Sequence, residues 1–202
     1  MIISLTGFMG CGKSSVGRRL SQLLCCPFMD LDDVIVESAG RSIPEIFATE
    51  GEPAFRQMEL EALKEMVPKY SRGPLPLRGP LPLAGGGKMP LPYNRHTSME
   101  ALSPTLILAL GGGTVMTPEC AEIVKKQTYC IYLKASIETL MEHLSGEADG
   151  RPMLNGETLY ERITELMAQR SETYEKTAHI LIDTDGKSIE AVASEIVSLL
   201  NI

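Results

Sequence analysis

The stretch Gly7-Phe-Met-Gly10-Cys11-Gly12-Lys13-Ser14 places four residues between Gly7 and the run Gly12-Lys13-Ser14, the spacing with which a backbone turn cradles phosphate. Glycines let successive N–H groups converge on one anion, and a helix beginning at the lysine adds partial positive charge at the same point. Lys13 can then reach the outer phosphates of a nucleoside triphosphate, and the Ser14 hydroxyl can ligate Mg²⁺. The residues expected around the nucleotide are Gly7, Gly10, Cys11, Gly12, Lys13, Ser14 and Ser15. An ordinary glycine-rich turn between a strand and a helix is the weaker reading.

Such a loop says nothing about what receives the phosphate, so the acceptor is argued from the other clusters. Asp30-Leu31-Asp32-Asp33 closes the short run Pro27-Phe28-Met29. If Asp-x-Asp is strand-like, its two carboxylates project to one side, and like charges that close need cations or hydroxyl donors. A Mg²⁺ shell and a polyol would supply both; a solvated turn with an N-cap aspartate is the plainer alternative. Arg56 lies four residues after Glu52 and three before Glu59, close enough on a helix for both to orient its guanidinium. Gly111-Gly112-Gly113 follows the apolar run Leu106 to Leu110, at the strand end where α/β ligands bind. A phosphate-binding-loop protein commonly has an Asp after such a strand for the Mg²⁺ shell; here Asp30 is the available substitute. Gly85-Gly86-Gly87 follows proline-rich sequence without a strand and is set aside.

The elements that must position these groups read as α/β. Strand-like runs Ile2 to Thr6, Thr105 to Leu110, Tyr129 to Leu133 and Ile180 to Asp183 alternate with helical stripes, the pattern of a parallel sheet with crossover helices. The stripes are Val16, Leu20, Leu23, Leu24; Phe55, Met58, Ala62, Met66; and Ile137, Leu140, Met141, Leu144. A further helix, about 157–174, bears Leu159, Ile163, Leu166 and Met167, and Ser188 caps a last one bearing Ile189, Val192, Ile196 and Leu199. Arg170 falls 11 residues after Leu159, about 20° away on the helical wheel, and an inward arginine there needs an anion.

A net charge of -7 without any block of Lys and Arg argues against a nucleic-acid partner. No apolar run is long enough to span a bilayer, and no leader precedes the first strand, so a soluble cytoplasmic protein is expected. Five cysteines, an odd number without ligand spacing, fit reduced thiols. Residues 68–104 hold eight of the 13 prolines and two copies of Arg-Gly-Pro-Leu-Pro-Leu, starting at Arg72 and Arg78. Alternating prolines fit neither a sheet ladder nor a helix, which predicts an extended surface insertion.

Six ordered motifs, GFMGCGKSSVG at 7–17, MDLDD at 29–33, GEPAFRQME at 51–59, LGGG at 110–113, RPML at 151–154 and MAQR at 167–170, resemble the shikimate kinases. The likeness spans essentially the whole chain outside 68–104. It implies one domain over 1–202 with a P-loop kinase fold, a parallel sheet flanked by helices, a substrate-binding segment at about 31–62 and a mobile lid at about 145–156. It also implies transfer of the ATP γ-phosphate to the 3-hydroxyl of shikimate, with Mg²⁺, in chorismate and aromatic amino-acid synthesis; a monomer is expected. Carried over by position, Lys13, Asp32 and Arg151 form the catalytic set, and Ser14 and Asp30 serve the metal. Asp32, Arg56, Gly111, Gly112, Gly113 and Arg170 bind substrate, the two arginines clamping its carboxylate, and Arg151 reaches the nucleotide from the lid. The family usually places an arginine against adenine near 143–145, where this chain reads His143-Leu144-Ser145; Lys187 matches a later adenine-loop position. Competing readings are a gluconate or nucleoside-monophosphate kinase of the same group, or a silent nucleotide-binding regulator.

Overall fold

The computed structural model describes residues 1–71, 104–144 and 159–200. Strands β1 (Ile2–Thr6), β2 (Phe28–Asp30), β3 (Leu106–Ala109), β4 (Tyr129–Lys134) and β5 (Ile180–Asp183) form one sheet in the order β2-β3-β1-β4-β5. Every pairing is parallel, which requires helical crossovers. The helices are α1 (Lys13–Leu23), α2 (Leu31–Ala39), α3 (Ile43–Thr49), α4 (Gly51–Tyr70), α5 (Pro118–Gln127), α6 (Ile137–Leu144), α7 (Leu159–Thr177) and α8 (Ile189–Leu200).

Strand alternation splits the core in two. Ile3, Leu5, Ile107, Ile131 and Leu133 face one cluster with Val16, Leu140 and Val192, while Ile2, Leu106, Leu108, Cys130 and Tyr132 face the other with Leu31, Phe55, Leu63 and Val124. A sheet buried on both faces reads as continuous apolar strands, and β1 and β3 are buried at every position. The consequence for function is an open edge at the strands' carboxyl ends, where β1 runs into the Gly7–Gly12 loop, β2 ends at Asp30 and β3 leads into Gly111.

Several helical stripes are rotated or shortened relative to expectation. Leu23, Ile189 and Leu199 are exposed, because α1 and α8 contact the sheet through narrower faces, Val16, Gly17 and Leu20 on one and Val192, Ala193, Ile196 and Leu200 on the other. On α4 the buried row is Phe55, Glu59, Leu60, Leu63, Met66 and Val67, with Met58 and Ala62 only half-buried. The helix also runs through Pro68 to Tyr70, so the expected break at 68 falls too early; of the proline-rich stretch, 72–103 lies outside the described residues. Ser188 does cap α8, accepting from the Ala191 amide at 3.2 Å. None of the helices is long and apolar enough to cross a membrane, among the described residues.

Candidate active site

The loop after β1 turns sharply at Gly10 and Gly12, whose φ values of +82° and +90° lie in the region glycine alone adopts without strain. At Gly10 space is also lacking, since a Cβ would sit 2.9 Å from the Leu144 side chain of α6. Lys13 folds back over the loop, donating to the carbonyls of Gly7 at 3.0 Å and Phe8 at 2.9 Å. Its ammonium is thus held where a phosphate would arrive. Cys11 turns its thiol into the core, where burial pushes its pKa up, and its amide donates to the Phe8 carbonyl, so it shapes the loop. Ser15 is exposed at the start of α1.

Asp30 and Asp32 meet this loop from the end of β2, but not as a strand pair. Asp30 is the N-cap of α2, accepting from the Asp32 amide at 3.2 Å, while its other oxygen accepts from the Ser14 hydroxyl at 2.6 Å. Leu31, fully buried between them, is the anchor that turns strand into helix; truncating such a leucine costs about 2–5 kcal/mol. Asp32 therefore projects from a helix, and its Oδ1 is buried without a hydrogen-bond partner among the described residues. Burial, then the nearby carboxylates of Asp30 and Glu59, push its pKa up to about 6 against the pull of Lys13 and Arg56.

Across the cleft, the turn after β3 collects both arginines. Arg56 donates to Glu52 from Nε at 3.1 Å and Nη2 at 2.8 Å, and to Glu59 from Nη1 at 2.6 Å, as its spacing predicted. A Cβ on Gly113 would lie 2.4–2.7 Å from that guanidinium, and one on Gly111 within 2.9 Å of Glu59, Asp32 and Thr114. Glycine is needed here for close approach, with the side chains packed directly on the backbone. Arg170 of α7 reaches the same turn, 6% exposed, its Nη1 3.5 Å from the Gly112 carbonyl. It has no ion pair among the described residues, although an unpaired buried guanidinium costs several kcal/mol unless an anion arrives.

A cleft of about 880 Å³ is lined by Lys13, Ser14, Asp30, Asp32 and Gly112 and extends outward to His143 and Lys187; Arg56, Arg170, Gly111 and Gly113 do not line it, and of the glycine turn only Gly112 does. Lys187 there is paired with Glu195 at 2.8 Å. Arg151 and the whole of the expected lid, 145–156, lie outside the described residues.

The family model described as shikimate kinase matches residues 9–72 and 95–201. The chain belongs to the shikimate kinase family. A shikimate kinase of Thermus thermophilus is 38% identical over 98% of this chain and 89% of its own length, and one of Geobacter metallireducens 36% identical over 98% and 90%. Among solved structures, a shikimate kinase from Acinetobacter baumannii in complex with shikimate superposes with a TM-score of 0.79 at 28% identity, covering 99% of this chain and 92% of that one. One from Aquifex aeolicus gives 0.70 at 27%, covering 100% and 96%. The fold is thus the P-loop kinase fold of the shikimate kinases, and ATP is the phosphate donor that membership brings.

Against that family background, sequence reasoning missed three contacts. Thr114 donates to the buried Glu59 carboxylate, which ties α4 to the glycine turn; the signal was a glutamate on the buried row of Phe55 and Leu63. His143 hydrogen-bonds the Gly10 carbonyl through Nδ1 at 2.8 Å, linking the end of α6 to the phosphate loop. Tyr174, one turn beyond Arg170, donates its hydroxyl to the Gly112 carbonyl.

Proposed function

We propose that the cleft transfers the γ-phosphate of ATP to the 3-hydroxyl of shikimate, giving shikimate 3-phosphate and ADP. The observation that carries this reading is Arg170, a buried guanidinium without a carboxylate partner among the described residues, set with Arg56 against one glycine turn. Two planar cations converging on one point fit a carboxylate on the acceptor. The orphaned Oδ1 of Asp32 then has a natural donor in a ring hydroxyl of the same molecule. A carboxylate with a pKa near 6 is largely ionised at neutral pH yet basic enough to take that proton as the oxygen attacks phosphorus. Asp32 therefore holds the hydroxyl in place and receives its proton, while the bond from γ-phosphorus to the β-bridging oxygen breaks and ADP departs.

Lys13 would exchange the Gly7 and Phe8 carbonyls for phosphate oxygens. The loop amides from Gly7 to Ser15 surround the triphosphate. We assign Arg151 to the transferring group, approaching from the lid, and Lys187 to the base end of the cleft once it releases Glu195. Charge arithmetic supports a further cation: Lys13, Arg56 and Arg170 face Asp30, Asp32, Glu52 and Glu59, one negative charge in excess before any phosphate enters. Ser14 and Asp30 offer hydroxyl and carboxylate oxygens 2.6 Å apart, hard donors that suit Mg²⁺. Bound there through Ser14 and waters held by Asp30, the metal would neutralise charge on the phosphates.

All five cysteines are free thiols, which supports a reducing compartment, and we place the enzyme in the cytoplasm as a monomer because one chain supplies both halves of the site. The test is ADP release from ATP and Mg²⁺ with shikimate, gluconate or nucleoside monophosphates as acceptor. Shikimate alone should stimulate turnover, and EDTA should abolish it. Equal stimulation by gluconate, or none by shikimate, overturns the assignment.

A further inference from the structure

We propose that Tyr174 is a positioning residue for the acceptor: its hydroxyl pins the Gly112 carbonyl, which fixes the glycine turn and limits Arg170 to a long contact there, so that the guanidinium can turn to the substrate carboxylate. The proposal rests on the acceptor reading given above.

Tyr174 is fully buried on α7, its ring tilted against Tyr132 with centroids 5.2 Å apart. Sitting four residues after Arg170, it lies on the same helix face. Burial pushes its pKa well above the usual phenol range, so the hydroxyl stays protonated and remains a donor throughout the working pH.

The turn has three carbonyls to satisfy. Gly111 O accepts from the Thr114 amide at 3.2 Å and Gly113 O from the Met116 amide at 2.9 Å. Only the Gly112 carbonyl lacks a backbone donor among the described residues, and α7 supplies one through Tyr174. The peptide that follows is trans, so holding Gly112 C=O toward α7 fixes the opposite direction of the Gly113 N–H. That amide has no acceptor among the described residues and adjoins the Arg56 guanidinium. On its other side, Gly112 touches the phosphate loop, where a Cβ would lie 3.1 Å from the Met9 amide nitrogen. A shift of this peptide would therefore be felt at the place where the two substrates meet.

The second effect is competition. Arg170 donates to the same oxygen only at the limit of hydrogen-bond range, 3.5 Å, and also hydrogen-bonds the phenol; the carbonyl has two lone pairs, and the phenol makes the closer contact with it. Without the phenol, Arg170 would be the carbonyl's only donor among the described residues. A charged donor facing a buried unsatisfied acceptor moves onto it, and the guanidinium is then drawn away from the substrate.

Tyr174→Phe keeps the ring and its packing and removes only the donor. In steady-state assays KM for shikimate should rise about tenfold, as loss of a hydrogen bond at a charged site predicts. ATP affinity should stay within about twofold and kcat within about threefold, because the phosphate loop keeps its own contacts. The preference for shikimate over its analogue with the carboxylate reduced to an alcohol should fall by a similar factor, since the lost contact serves that group. Losses spread equally over ATP affinity, kcat and both acceptors would overturn the proposal, as would an unchanged acid-to-alcohol preference. Should the variant not fold, wild-type protein labelled with [1-¹³C,¹⁵N]glycine decides. The Gly112–Gly113 amide signal must shift with shikimate and not with the alcohol, and a signal unmoved by shikimate refutes the proposal. Wild-type protein that does not use shikimate at all refutes the acceptor assignment instead.

Discussion

Replacing Asp32 by Asn should make the protein more stable and nearly inactive at once. The buried carboxylate is displaced from an ordinary pKa of 3.8 to about 6, and each pH unit corresponds to about 1.4 kcal/mol. Because the folded-state value lies above the unfolded one, folding favours the neutral acid. The destabilisation caused by the charge is absent below pH about 4, grows between about 4 and 6, and is complete above it. At pH 8 the ionised group therefore costs at most about 3 kcal/mol. Roughly 1–3 kcal/mol should be recovered by the neutral amide, raising Tm by on the order of 5 °C for a domain of this size. At pH 4 the two proteins should melt together. Turnover with shikimate should fall about 10²-fold or more while ATP binding survives, the range for loss of a general base. In the wild type, kcat/KM for shikimate should rise with pH through about 6, because that parameter reports the free enzyme. The measurements are thermal melts of both proteins at the two pH values, equilibrium ATP binding, and the pH profile. A stability difference that is the same at pH 4 and pH 8, or near-normal turnover in the variant, would refute the reasoning.

Gly113→Ala places a methyl within 2.7 Å of the Arg56 guanidinium; at a backbone φ of -114° alanine fits, so the fold should persist. Displacing Arg56 should cost roughly 1.5–3 kcal/mol in shikimate binding, read by calorimetric titration, and an unchanged affinity would remove Arg56 from the clamp. Arg151→Lys keeps the charge but loses the guanidinium fork, so single-turnover transfer should slow by about 10-fold or more while ATP affinity changes little. A transfer rate equal to wild type would exclude Arg151. Replacing residues 72–103 by a short Gly-Ser linker should leave soluble expression and kinase activity largely intact, because closure entropy varies slowly with loop length; loss of most turnover would show that the segment supports the core.

What could be read in the sequence were the groups whose neighbours lie close along the chain. The phosphate loop is contiguous, and Arg56 sits within one helical turn of Glu52 and Glu59, so spacing alone gave their contacts. The parallel sheet was legible because β1, β3 and β4 are buried on both faces and so nearly uniformly apolar. Asp30 and Asp32 were found but given the wrong backbone: a period-two argument put both carboxylates on one strand face, whereas Leu31, drawn fully into the core, starts a helix between them. Its helical start explains why one aspartate caps and faces Ser14 while the other is buried and left with an unpaired oxygen.

The contacts that escaped notice join distant segments. Glu59 and Thr114 are 55 residues apart, and Tyr174 and Gly112 are 62. Neither residue type announces such a partner, since a helical glutamate is usually solvated and a helical tyrosine usually fills a core. A positional clue did exist in both cases. Glu59 occupies the apolar row of its helix, and Tyr174 stands one turn from an arginine already argued to point inward, where a buried polar atom must find a partner. Polar groups on the apolar side of a helix are therefore where a sequence of this class reveals its substrate site, ahead of any knowledge of which loop they meet. On α4 and α7 that rule selects Glu59, Arg170, Tyr174 and Thr177, and the first three converge on the single turn from Gly111 to Thr114.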